Sequence, residues 1–127
     1  MYANQVAVYT DIHKESLSGR DLESSVLTRA ALMLKNCQDN WNAVDREEQL
    51  SKAIKFHQQI WSIFQAELAS PDNLLPKELR QDILSLSLFM DKRLFEVMAY
   101  PAPEKLTAII NINLNLAAGL NTDPARR

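Results

Sequence analysis

Residues 60–80 read IWSIFQAELASPDNLLPKELR, and this stretch decides the fold. Its first half carries Trp61, Phe64 and Leu68 at spacings of three and four residues, which predicts the buried face of an α-helix. Residues 70–73 (SPDN) then end that helix, because proline cannot continue it and Asp and Asn favour turns. The stretch therefore predicts two helices joined by a short turn.

The second half of the stretch predicts how the next helix begins. Pro76 is expected at the first helical position, where its missing N–H costs no hydrogen bond. Leu74 and Leu79 occupy the two positions of a hydrophobic staple, which would fix the direction in which the chain enters the helix. We therefore expect an ordered turn between residues 70 and 76.

The apolar spacing along the rest of the chain predicts an all-α fold, a small helical bundle of four main helices. Only two glycines occur in 127 residues, too few for the many turns of an all-β protein. Residues 1–17 allow a further short helix, and Gly119 is placed to end the last helix in the left-handed conformation. The predicted bounds are Gly19–Gln38, Asp45–Ala69, Pro76–Met98 and Pro103–Gly119.

Residues 110–116 (ININLNL) are ambiguous, because they alternate between apolar and polar side chains as a strand would. The same residues also continue a helical stripe through Leu106, Ile109, Asn113 and Ala117. A lone strand in a helical chain would leave its backbone groups without partners. A helix is therefore predicted here.

Composition and charge argue against a protein that binds nucleic acid or a membrane. The formal net charge is -2 and the pI is about 5.6, and the basic residues are scattered, so no direct nucleic-acid binding is expected. No apolar stretch is long enough to span a bilayer, and residues 1–5 do not begin a signal peptide. The single cysteine, Cys37, suits a reducing compartment. We expect a cytoplasmic protein.

No group of residues in the sequence predicts catalysis, a metal site or a bound cofactor. Cys37 lies on the apolar stripe of the first helix, which predicts a buried thiol rather than a nucleophile. His57 lies one turn before Trp61 on an apolar face, which predicts a half-buried packing residue. Glycine-rich phosphate loops and nucleophile elbows do not occur in the sequence. We therefore predict a protein that is not an enzyme.

The second and third predicted helices carry more apolar positions than one narrow face holds. A helix that is apolar nearly all round is central in its bundle or is covered by another molecule. Three or four helices leave little room to bury two such helices, so part of the surplus is predicted to bind a partner. The candidate partner-binding residues are Phe56, Ile63, Leu88 and Phe95. Trp61 and Phe64, in contrast, are predicted to pack between the second and third helices.

Residues 60–80 resemble the signature of FlaF, the flagellar biosynthesis regulator of alphaproteobacteria, in which a helix with an aliphatic residue and tryptophan precedes a P-x-N-x-L-P-x-x-L-R turn. The matching positions are Trp61, Pro71, Asn73, Leu75, Pro76, Leu79 and Arg80. Residues 18–23 (SGRDLE) are similar to an early S-P-R-x-x-E segment of that family, with Gly19 in place of the usual proline. Ile112-Asn113 and Gly119-Leu120 are similar to its terminal I-N and G-L. The resemblance implies one FlaF-like helical domain over residues 1–127.

The resemblance implies a function in flagellum biogenesis and no catalytic residue. FlaF-like proteins act with a second regulator, FlbT, on flagellin synthesis and are implicated as flagellin chaperones. The expected function is therefore that of a cytoplasmic chaperone which binds flagellin and assists its synthesis, secretion and filament assembly. The alternative is a post-transcriptional regulator of flagellin mRNA that acts together with FlbT. Flagellin and FlbT are the expected partners.

Most of the motif is expected to serve the turn and the helix ends. Arg80 is the exception, because a cation in the first turn of a helix opposes the helix dipole. We expect Arg80 to pair with an acidic neighbour or to contact a partner, and we count it among the candidate partner-binding residues.

Overall fold

The computed structural model describes residues 19–121, which form the predicted all-α bundle. Its four α-helices are α1 (Gly19–Asp39), α2 (Arg46–Ala69), α3 (Lys77–Ala99) and α4 (Thr107–Leu120), and a 3-10 helix (Pro103–Leu106) precedes α4. The ambiguous residues 110–116 are helical, as predicted. The short helix predicted within residues 1–17 lies outside the described residues. None of the helices within residues 19–121 has the length and the apolar character needed to cross a bilayer.

Helix α1 is central, since it packs against both α2 and α4. Ser24, near the beginning of α1, donates a 2.8 Å hydrogen bond to the carbonyl of Ala117 near the end of α4. Gln38, near the end of α1, donates a 2.9 Å hydrogen bond to the Thr107 hydroxyl at the beginning of α4. These two contacts show that α1 and α4 run antiparallel. Ala30 is fully buried in α1, and so small a side chain lets neighbouring helices approach closely.

Helix α3 is peripheral, since it packs mainly against α2 and the 3-10 helix. Only one narrow stripe of α3 is buried, at spacings of three and four residues. Its members are Ser87, Met90, Leu94 and Val97. Gln65 of α2 connects the two helices, because its amide contacts the Ser87 hydroxyl and lies 3.3 Å from Asp91 Oδ2. The other residues of α3 are half-buried or exposed among residues 19–121.

Three predictions about the helix ends are wrong. Pro76 is the N-cap of α3 rather than its first helical residue. Leu74 is 98% exposed, so it forms no hydrophobic staple with Leu79. Gly119 lies within α4 and has no positive φ, because the helix continues to Leu120, whose side chain packs against the core.

Candidate partner-binding surfaces

A buried polar cluster lies at the centre of the bundle, where α2 faces α4. The Trp61 indole nitrogen donates a 2.8 Å hydrogen bond to Oδ1 of Asn113. The Asn113 amide nitrogen lies 2.9 Å from Nε2 of His57 and donates a 2.9 Å hydrogen bond to the carbonyl of Ile109. Because the indole only donates, it fixes the oxygen of the Asn113 amide toward Trp61 and the nitrogen toward His57. Nε2 of His57 must then accept, so the proton of the neutral ring lies on Nδ1.

His57 is fully buried, so the prediction of a half-buried packing residue is wrong. Burial lowers the pKa of His57 to about 4, because the charged imidazolium is disfavoured away from water. Its Nδ1 has no hydrogen-bond partner among residues 19–121. The imidazole stacks near Trp61 with ring centroids 6.1 Å apart. His57 is therefore a neutral core residue in the protein at pH 7.

Trp61 is buried, as predicted, but its placement between α2 and α3 is only part of its environment. Its polar partner Asn113 belongs to α4, and its ring packs edge-on against Phe64 at 5.7 Å between centroids. Phe64 is only partly buried. The predicted and observed placements of Trp61 differ because α3 is peripheral. Trp61, the largest side chain of α2, points toward the centre of the bundle instead.

The turn between α2 and α3 is held by side-chain hydrogen bonds, and Asn73 is the signature residue whose side chain serves the turn. Asn73 Oδ1 accepts a 3.0 Å hydrogen bond from the amide of Leu75, and its Nδ2 donates a 3.0 Å hydrogen bond to the carbonyl of Glu67. The Ser70 hydroxyl accepts a 3.2 Å hydrogen bond from the amide of Asp72. Asn73 thus connects the end of α2 to the chain that enters α3, whereas Pro71 is exposed.

Arg80 contacts a carbonyl rather than the acidic neighbour that the sequence suggested. Its guanidinium lies 3.5 Å from the carbonyl oxygen of Ser70, at the end of α2. No carboxylate within residues 19–121 forms an ion pair with it. The C-terminal end of α2 carries the negative end of that helix dipole, which offsets the unfavourable position of Arg80 in the first turn of α3. Arg80 therefore closes the turn.

A small pocket opens beside this turn, where the ends of α2 and α4 meet the beginnings of α1 and α3. Its volume is about 90 Å³. We call it the motif-end pocket, because three residues of the family signature, Trp61, Asn73 and Leu75, belong to its wall. The other lining residues are Glu23, Leu27, Phe64, Glu67, Leu68, Ile83, Leu116 and Leu120.

The motif-end pocket has two carboxylates at its wall, and one of them, Glu23, lies in an unfavourable environment. Burial raises the pKa of Glu23, the nearby charge of Glu67 raises it further, and Arg20 opposes both effects. Neither Glu23 nor Glu67 forms an ion pair with a cation of the described residues. In the sequence, Glu23 stands out only as the last residue of the early S-P-R-x-x-E segment, and the helical pattern gives no sign that its carboxylate is partly buried beside Glu67.

The outer face of α3 presents apolar side chains to solvent. Leu88 and Phe95 are each 69% exposed, and Met98 is 50% exposed. At about 100° per residue these three positions lie within roughly 80° of one another around the helix axis. We call them the outer face of α3. Of the four surface positions predicted from sequence, the structure thus leaves Leu88 and Phe95 together on one face.

The other two predicted surface positions lie elsewhere. Phe56 is only 5% exposed, so its assignment to the surface is wrong; its ring packs toward α1, with the Arg29 guanidinium 5.6 Å from the ring centroid. Ile63 is exposed as predicted. However, Gln65 contacts α3, and two residues correspond to about 200° around a helix, so Ile63 lies on the side of α2 away from α3.

Cys37 is buried, as predicted, and burial raises the pKa of its thiol. The nearby charge of Asp45 acts in the same direction. Both effects disfavour the thiolate, which is the nucleophilic form. The geometry at Cys37 is that of a structural side chain.

Comparison with known proteins identifies one family. The family model described as "Flagellar protein FlaF" matches residues 5–120. No curated protein and no solved structure matches the chain. The match includes both the motif-end pocket and the outer face of α3.

Proposed function

This chain belongs to the FlaF family of flagellar proteins, and from that premise we propose that it is a cytoplasmic chaperone which binds flagellin and assists its synthesis, secretion and filament assembly. The observation that carries the proposal is the outer face of α3, where Leu88 and Phe95 are both 69% exposed. Exposed apolar side chains that share one helix face are typical of partner-binding sites.

The outer face has the dimensions of a site for a helical segment. From Leu88 to Met98 the helix rises about 15 Å, which corresponds to about three turns. An amphipathic helix that lies in such a site inserts apolar side chains at positions i, i+3 or i+4, and i+7. The terminal segments of flagellin are amphipathic and would aggregate if left free, so they are the segments that we propose bind here.

The charges around the outer face have mixed sign. Asp91 lies on the same face as Leu88 and Phe95, Lys92 lies beside it, and Arg93 forms a 3.6 Å ion pair with Glu96. Apolar side chains together with charges of both signs favour a protein partner, whereas a nucleic acid requires a stripe of cations. We therefore place flagellin, rather than flagellin mRNA, at this face.

The experiment is calorimetric titration of monomeric flagellin into the full chain. We expect Leu88→Glu and Phe95→Glu each to weaken binding by about tenfold or more, because a few buried anchors dominate most interfaces. Val44→Glu is the matched control: Val44 is an exposed apolar residue in the loop between α1 and α2, so its replacement should leave the affinity unchanged. Unchanged affinity in both α3 variants would contradict the assignment of this face.

FlbT is titrated in parallel, since the alternative role involves this second regulator. Binding of flagellin by the wild-type chain in the absence of FlbT supports the chaperone proposal. Binding of FlbT without any binding of flagellin would contradict it, and would favour a regulator that acts on flagellin mRNA together with FlbT.

A further inference from the structure

We propose that the motif-end pocket anchors a partner segment which presents one aliphatic side chain beside a lysine or an arginine. The inference rests on the proposed function, in which that partner is flagellin. The pocket would be a second flagellin contact, separate from the outer face of α3. Ile83 of the pocket and Phe95 of the outer face are about 18 Å apart along α3. One flagellin chain could occupy both places.

The volume and the lining of the pocket determine what fits inside. Its volume is about 90 Å³, and its apolar walls come from α1 (Leu27), α2 (Trp61 and Phe64), α3 (Ile83) and α4 (Leu116). An engineered apolar cavity of about 150 Å³ binds benzene, so the smaller motif-end pocket suits a single aliphatic side chain. Such a side chain would extend the contacts of the core rather than cover a flat surface.

The mouth of the pocket selects for positive charge. The pocket continues into a shallower cleft of about 400 Å³, which shares Glu23 and Glu67 with it and adds Asp72 and Arg20. Three carboxylates therefore face one guanidinium. Because neither Glu23 nor Glu67 has an ion-pair partner among the described residues, a cation from outside complements this mouth better than any other group.

The state of Glu23 agrees with this assignment. Its pKa is raised by burial and by Glu67, so its ionised form is disfavoured in the free protein. A partner cation at the mouth would favour the ionised form and lower that pKa. Binding is therefore expected to release protons from the protein at a pH near the raised pKa of Glu23, which is a readout that a purely apolar contact would not give.

The pocket also exists before any partner arrives. Asn73 holds the turn to the end of α2 through hydrogen bonds to Leu75 and Glu67, and Arg80 closes it onto Ser70. Little of the binding free energy is lost in ordering a wall that is already held in place. This explains what the ordered turn of the family signature contributes besides joining two helices.

The experiment uses the full chain with flagellin and with overlapping peptides that tile its sequence. Leu116→Phe fills the pocket, and we expect it to weaken the binding of the anchoring peptide by about tenfold or more. Glu67→Gln removes one exposed charge, and we expect a loss of about two- to fivefold that shrinks as salt is added. Glu47→Gln is the matched control, since Glu47 lies on the same helix about 30 Å away.

Each outcome decides the inference. A peptide that binds through an aliphatic residue next to a lysine or arginine, and loses affinity in Glu67→Gln but not in Glu47→Gln, supports it. Normal flagellin binding in both Leu116→Phe and Glu67→Gln overturns this inference alone, whereas no flagellin binding by the wild-type chain overturns the proposed function as well. Nuclear Overhauser contacts from a second copy, or from residues 1–18 of the same chain, to Phe64 would identify another occupant and also overturn it.

Discussion

The indole nitrogen of Trp61 lies 2.8 Å from Oδ1 of Asn113, and both side chains are buried. This hydrogen bond joins the signature segment in α2 to the terminal I-N segment in α4. The two segments are separated by 52 residues in sequence but form one polar cluster with His57. Both the oxygen and the nitrogen of the Asn113 side-chain amide have hydrogen-bond partners. Such a buried cluster specifies how α2 and α4 face each other.

The first prediction follows from this cluster. Asn113→Ala should destabilise the protein by about 2–4 kcal/mol, because it leaves the Trp61 N–H and the His57 nitrogen buried without partners. Asn115→Ala is the control on the same helix, since Asn115 is exposed and its loss should change stability by less than about 0.5 kcal/mol. Urea denaturation of both variants gives the comparison. Equal stability of the two variants would show that the cluster contributes nothing to folding.

The second prediction concerns the dependence of stability on pH. The pKa of His57 is about 4 in the folded protein and about 6.5 when the chain is unfolded, so between these values only the unfolded state binds the proton. Stability should therefore fall as the pH is lowered from about 6.5 to about 4, by up to about 3 kcal/mol. Glu23 acts with the opposite sign, because its pKa is raised.

His57→Gln isolates the histidine from the other titrating groups. The difference in unfolding free energy between the wild-type chain and this variant should change steadily between pH 6.5 and pH 4, since all other groups contribute to both proteins. Chemical denaturation at several pH values measures that difference. A constant difference over this range would mean that the pKa of His57 is not lowered by folding.

The helices could be predicted from the sequence, whereas the roles of individual apolar residues could not. Periodicity identified α2 and α3 because every third or fourth residue is apolar, but it could not say which neighbour each face meets. Phe56 and Phe95 look alike in sequence, and only the central position of α1 buries the first while the peripheral position of α3 exposes the second. The sequence placed Asn113 on the apolar stripe of its helix. Its hydrogen bond with the Trp61 indole could not be predicted, because the two residues are 52 positions apart in the sequence.

The third prediction tests the order of the turn. Asn73→Ala removes the two side-chain hydrogen bonds that Asn73 makes in the turn and should cost about 1–2 kcal/mol, whereas Asp72→Ala removes an exposed side chain and should cost less than about 0.5 kcal/mol. In the wild-type chain the amides of Leu75 and Arg80 should exchange more slowly than that of Val44, which is fully exposed. Exchange of Leu75 as fast as that of Val44 would contradict an ordered turn.

The fourth prediction separates direct RNA binding from protein binding. The net charge is -2 and the described cations are dispersed, so few counterions would be released on contact with RNA. Flagellin leader RNA should therefore bind the purified chain only weakly, and the binding should disappear at about 150 mM salt. Fluorescence anisotropy with labelled RNA measures this. Nanomolar binding at that salt concentration would make an RNA-directed role the better hypothesis.

The last prediction uses two phenylalanines as a matched pair. Phe56→Ser should destabilise the protein by about 3–5 kcal/mol, because the Phe56 ring is buried against α1 and its removal leaves a cavity. Phe95→Ser makes the same chemical change on the outer face of α3, where the ring is mostly in water, so stability should change by less than about 0.5 kcal/mol. Flagellin affinity should be measured below the unfolding transitions of both variants. There Phe95→Ser should weaken flagellin binding about tenfold, whereas folded Phe56→Ser should bind flagellin normally. Thermal melting and calorimetry on the same two proteins give both quantities. If Phe95→Ser unfolds the protein, its ring belongs to the core; if it changes neither quantity, the outer face of α3 is not where flagellin binds.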